Sequence, residues 1–156
     1  MIYCITEDQS DSLILSAYFE LALEHVPRKM IVSNGVPSIP AIARTILSFA
    51  EESDRVIVIC DQDSFENEKY QKDMLGFLLR GAMNNPLFRL FVFDPNMGIL
   101  IPEEKKIKGW NSKAKYIQTV VSECSSCIAQ NQTIMEILSF INEAIAGDCA
   151  STENQV

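Results

Sequence analysis

Two short stretches bring carboxylates together at spacings suited to holding a divalent cation. In "VICDQDS" an apolar run over residues 55–60 ends in Asp61 and Asp63. Side chains at i and i+2 of an extended segment share a side, so these two can converge on one point while Gln62 points away. In "ITEDQSD" the apolar run 1–6 is followed by Glu7, Asp8 and Asp11, and a third run ends in "FDPN" with Asp94. Crowded carboxylates repel one another, and losing water raises the cost further. A hard cation removes both costs, because Mg²⁺ accepts a few carboxylate oxygens together with water and substrate phosphates. The ligand candidates are Glu7, Asp61 and Asp63, with Asp11 divided between helix N-cap and fourth ligand. The competing reading is structural, since Asp and Ser are common at strand ends and helix caps. On that reading Asp8 is a solvated turn residue and Glu66 an acidic first-turn residue.

The elements that must position these acids alternate in type. Apolar runs at 1–6, 29–33, 55–60 and 88–93 predict strands. Helical spacing predicts helices over 11–26, 38–52, 67–83, 112–129 and 131–146, with Asp11 and Ser38 as N-caps and Pro40 tolerated in a first turn. Short strands separated by amphipathic helices specify βαβ units and a parallel sheet, with helices on both faces. Ligands of such sheets bind beyond the carboxyl ends of the strands. The acids after the runs 1–6, 55–60 and 88–93 fall on that edge.

At 156 residues the chain reads as a single domain over 1–146, with a core over 1–102, a lysine-rich segment and C-terminal helices over 103–146, and a flexible polar tail over 147–156. No run reaches the roughly 20 apolar residues a membrane span needs, and no basic leader opens the chain, which predicts a cytoplasmic protein. The five cysteines are an odd number, and reduced cysteine in strand-like runs behaves as a small hydrophobe. "CSSC" has no second such pair, and the lone His25 is remote from it. A triad built on His25 is therefore not supported, and no glycine-rich phosphate loop is present.

The net charge of −8 argues against unaided binding of nucleic acid. The exception is local. "KKIKGWNSKAK" places Lys105, Lys106, Lys108, Lys113 and Lys115 around Trp110, five of the eight lysines. Cations beside one aromatic ring suit a phosphate backbone, although lysine-rich loops are commonly only solvated.

With these residues in place, the order of motifs resembles the TOPRIM domain, the catalytic fold of topoisomerases, primases and OLD-family nucleases. The matching elements are Glu7 in "ITEDQSD", Gly35 in "VSNGVPSI", and Asp61 with Asp63 in "VICDQDS". The resemblance covers roughly residues 1–102, and an acid four residues after the first Glu, here Asp11, is similar to the OLD type. It implies phosphodiester chemistry on nucleic acid dependent on Mg²⁺ or Mn²⁺. Glu7 would serve as metal ligand or general acid/base, Asp61 and Asp63 would hold metal, and Gly35 would make a turn where a side chain would clash. The pattern departs at Gly98, where the family carries a further acid, with Asp94 the nearest substitute. No ATPase or helicase body accompanies the domain, so a protein partner would supply part of the substrate grip.

Two alternatives use the same residues. A TOPRIM-fold interaction module without catalysis fits Gly98 and the acidic charge. A response-regulator receiver would use Glu7 and Asp8 as its acid pair and Asp61 as phosphoacceptor. A receiver, however, needs Thr or Ser where "LFVFDPN" offers Asp, and it has no role for Asp63.

Overall fold

The computed structural model describes residues 1–66 and 68–152. Four strands form one parallel sheet: β1 (Ile2–Thr6), β2 (Arg28–Val32), β3 (Arg55–Asp61) and β4 (Phe88–Phe93), in the order β2-β1-β3-β4. The helices are α1 (Gln9–Ala22), α2 (Ile39–Leu47), α3 (Glu68–Leu79), α4 (Ala114–Glu123), α5 (Ser125–Ile128) and α6 (Gln132–Thr152). Residues between β4 and α4 form short 3-10 turns rather than regular elements.

Strand alternation sorts the core into two layers. Cys4, Ile57, Ile59, Phe91 and Phe93 face Leu15, Phe19, Val121, Ile137 and Phe140 of α1, α4 and α6. Ile5, Val56, Val58 and Cys60 face Ile39, Ala43, Met74 and Phe77 of α2 and α3. Burying each such Ile or Phe contributes roughly 1.5–3 kcal/mol, so β3, buried on both faces, anchors the sheet. Its uninterrupted apolar run is what a strand covered on both sides requires.

The order places the acids. β1 and β3 are neighbours, with Thr6 level with Ile59. The chain leaves β1 for α1 on one face and leaves β3 for α3 on the other. Neighbouring strands whose exits diverge in this way open a crevice at their carboxyl ends, the usual ligand position in open α/β sheets. Glu7 and Asp61 stand on either side of that crevice.

Several boundaries differ from the sequence expectation. The cap of α1 is Asp8, not Asp11: the Asp8 backbone is extended and its carboxylate accepts from the Asp11 N–H. Ser38 lies in a 3-10 turn and makes no side-chain cap. The predicted helix over 112–129 is divided at Cys124. The tail expected from 147 continues as helix to Thr152. Position 67, where the third helix was expected to begin, and 153–156 of the expected tail lie outside the described residues. No helix among the described residues is long and apolar enough to cross a membrane.

Candidate metal centre

Each acid at the carboxyl edge is held by a different local device. Asp8 caps α1 through Oδ1, accepting from the Asp11 N–H at 3.0 Å and the Ser10 hydroxyl at 2.8 Å. An acid at the third position of a helix commonly returns such a bond to the cap. Asp11 does not. It is only 3% exposed, and its Oδ2 has no hydrogen-bond partner among the described residues.

Glu7 is reached from the β3 side: Ser64 Oγ lies 2.7 Å from both of its carboxylate oxygens. The Glu7 backbone is fixed from the β2 side, its carbonyl accepting from Gly35 N–H at 3.0 Å. That contact needs the turn at Asn34 and Gly35, with φ of 56° and 115°. The reason for glycine differs from the expected clash. A Cβ at Gly35 would sit 3.6 Å from Pro37, ordinary contact, and it is the φ of +115° that disfavours side chains.

The β4 turn holds the other two acids. Met97 N–H donates to Asp61 Oδ1 at 2.8 Å, and Asn96 Nδ2 donates to Asp63 Oδ2 at 3.1 Å. Asp63 is not extended as the spacing predicts. It lies in the 3-10 turn Gln62–Glu66, with its N–H on the Pro95 carbonyl at 3.1 Å. Asp94 is exposed, so the side chain that reaches the acids from β4 is Asn96 rather than Asp94. Gly98 also acquires a reason. Its N–H bonds Asn96 Oδ1, and a Cβ there would stand only 2.9 Å from that oxygen. An acid at 98 would disturb the turn that aims Asn96 at Asp63.

The electrostatics match this crowding. Burial, then the charges of Asp61, Asp8, Glu7 and Asp63, push the Asp11 carboxyl from 3.8 up to about 8. Asp61 is pushed up to about 6, chiefly by burial, with Asp63, Glu7 and Asp8 adding to it and the Met97 N–H opposing it. Burial, followed by Glu7, Asp61 and Asp11, also raises the Cys60 thiol. The structure thus brings together Glu7, Asp11, Asp61 and Asp63 in one electrostatic unit. As the side chains stand, no three of His, Cys, Asp or Glu among the described residues form a ready ligand set. Ser64, Asn96 and the Met97 N–H each hold one of these carboxylates by a hydrogen bond.

The lysine segment is less available than its composition suggests. Lys105 pairs with Glu123 at 2.8 Å and Lys106 pairs with Glu103. Lys113 donates to the Lys108 carbonyl at 3.1 Å, and Trp110 is half-buried against the core rather than free for stacking. Lys108, Lys113 and Lys115 remain exposed, with no carboxylate partner among the described residues.

Sequence reasoning missed Ser64, Asn96 and the Met97 amide. The Asn in "DPNMG", directly after a strand, was the one available signal.

No protein-family model, curated protein or solved structure matches the chain. The fold is α/β with an all-parallel four-stranded sheet, consistent with a Rossmann-like fold.

Proposed function

We propose that the crevice between β1 and β3 holds Mg²⁺ or Mn²⁺ and that the protein is a TOPRIM-type nuclease, hydrolysing phosphodiester bonds of nucleic acid. The observation that carries this reading is the buried, unpartnered Oδ2 of Asp11 among the charges of Glu7, Asp8, Asp61 and Asp63. A buried polar atom without a partner is costly in any fold. Among so many carboxylates, a hard divalent cation is the partner that would satisfy this oxygen and offset the neighbouring charges together. Glu7, Asp11, Asp61 and Asp63 would hold it. When bound, the ion supplies charge stabilisation for a phosphoryl oxygen and acidifies water.

The remaining work belongs to the chain. Ser64 orients Glu7, Met97 N–H orients Asp61 and Asn96 orients Asp63. Such outer contacts set the direction and basicity of ligand oxygens. Burial and the neighbouring carboxylates favour the protonated form of Asp11, so a bound cation would displace that proton.

A second reading, a metal-binding module that does not cleave, is favoured by the β4 turn, where the amides of Asn96 and Met97 stand in place of a further carboxylate. The test is cleavage of labelled single- and double-stranded DNA and RNA with Mg²⁺ or Mn²⁺, using wild type, Asp61→Asn and Asp63→Asn. Metal-dependent cleavage lost in both variants supports the nuclease. Cation binding with no cleavage of any substrate supports the module.

A further inference from the structure

A second group of cations without a carboxylate partner among the described residues lies outside the lysine segment. α2 and α3 run side by side on the face opposite α1, both starting from the carboxyl edge, and leave a groove between them. Two adjoining cavities of about 290 and 300 Å³ share Arg44, Phe77 and Arg80, and the first is also lined by Lys72, Asp73 and Gly76. Among the described residues no carboxylate pairs with Arg44, Lys72 or Arg80. In a chain of net charge −8, three free cations against one acid make this groove a local site for an anion. Arg44 sits 6.0 Å from the Phe77 ring centre, which holds its charge near the groove wall.

Gly76 is the second observation. Glycine inside a helix lowers helix stability relative to alanine, and a Cβ at Gly76 would meet nothing within 4 Å. Packing therefore does not call for glycine there. What it leaves is an open floor between the cations. The upper end of the groove, at Pro37 and Pro40, follows directly on Gly35, whose N–H bonds the Glu7 carbonyl.

We propose that the groove between α2 and α3 binds successive phosphates of a nucleic-acid strand and leads it to the carboxylate crevice. The choice of a nucleic-acid ligand rests on the nuclease reading, whereas the anion site stands on its own geometry. Spaced cations neutralising phosphates give affinity that falls steeply with salt.

The test uses the full chain in EDTA and a fluorescein-labelled single-stranded oligonucleotide, with anisotropy read at several salt concentrations. Arg44→Glu with Arg80→Glu is expected to weaken binding by about tenfold or more and to flatten the salt slope by about two. Gly76→Leu, which changes no charge, is expected to weaken binding by roughly fivefold through blocking the floor, with helix content retained by circular dichroism. Lys29→Glu, on the edge strand β2 and outside the lining of both cavities, serves as the charge control and is expected to leave affinity within about twofold. Wild-type affinity in both groove variants overturns the proposal, as does no binding by wild type, or equal binding of a poly-glutamate peptide. Metal is absent throughout, so failure here leaves the cation reading standing. Failure of the cation to bind, measured without nucleic acid, leaves the groove standing.

Discussion

Ser64 Oγ stands 2.7 Å from each oxygen of the Glu7 carboxylate, joining the turn after β3 to the end of β1. The bond crosses the crevice in which the cation is proposed to sit, and it sets the direction of the only Glu in that group. Ser64→Ala is expected to weaken Mn²⁺ binding by about 10–100-fold, the usual effect of losing a contact that orients a ligand. Stability is expected to change by only about 1 kcal/mol. Titration calorimetry and urea unfolding of the variant check both. Unchanged affinity would show that Glu7 is not a ligand.

Asp11 gives a pH dependence of definite sign. Its carboxyl titrates at about 8 in the fold against 3.8 ordinarily, so between those values the metal-free fold binds more protons than the unfolded chain. Its contribution to stability is therefore complete below about pH 4 and is lost as pH rises through about 8. Asp61, raised to about 6, acts in the same direction. Asp11→Asn is expected to stabilise the metal-free protein at pH 8 by ~1–3 kcal/mol and to have little effect near pH 4. Urea midpoints at the two pH values decide it.

Gly98→Asp would restore an acid where the family resemblance expects one, and the structure predicts harm from it. The new Cβ would lie 2.9 Å from Asn96 Oδ1, the acceptor for the residue's own N–H. Loss of that cap is expected to cost about 1 kcal/mol and to release Asn96 from Asp63 without adding a second bound ion. Thermal unfolding and metal stoichiometry measure the two effects.

Gly35→Ala tests the turn behind Glu7. With φ at +115° and ψ at 154°, the backbone lies in a region nearly confined to glycine, and alanine there is expected to cost ~1–3 kcal/mol. Gly76→Ala is the contrast. It has free space and an ordinary helical position, and is expected to stabilise the protein by about 1 kcal/mol. Denaturant midpoints of the two variants should move in opposite directions.

What could be read from the amino acids followed physical periodicity. β4 occupies Phe88–Phe93, where the run "FRLFVF" predicts it, because alternation between two buried faces is a strong local signal. The convergence of Glu7 and Asp61 on one edge follows from βαβ topology alone. Asp63 was harder to read, because the extended spacing assumed for it stops at Asp61 and a 3-10 turn follows. The helix boundary at Asp8 depended on which of two nearby aspartates turned its carboxylate to the backbone, and spacing cannot distinguish them. Ser64 and Asn96 acquire roles only through loop conformation. The groove cations Arg44, Lys72 and Arg80 meet only once α2 and α3 are packed together, whereas the contiguous lysines that stand out in the sequence are partly paired with Glu103 and Glu123.

The most direct test of the cation pocket is thermal unfolding of the full chain during Mn²⁺ titration, with no nucleic acid present, for wild type, Asp11→Asn and Asp61→Asn. At about 100-fold over the dissociation constant a single ion stabilises by about 2.7 kcal/mol. For a chain of this length that corresponds to a rise of roughly 5–10 °C. The account predicts that rise in wild type and its loss in both variants. No rise in wild type, or an equal rise in all three proteins, would contradict it.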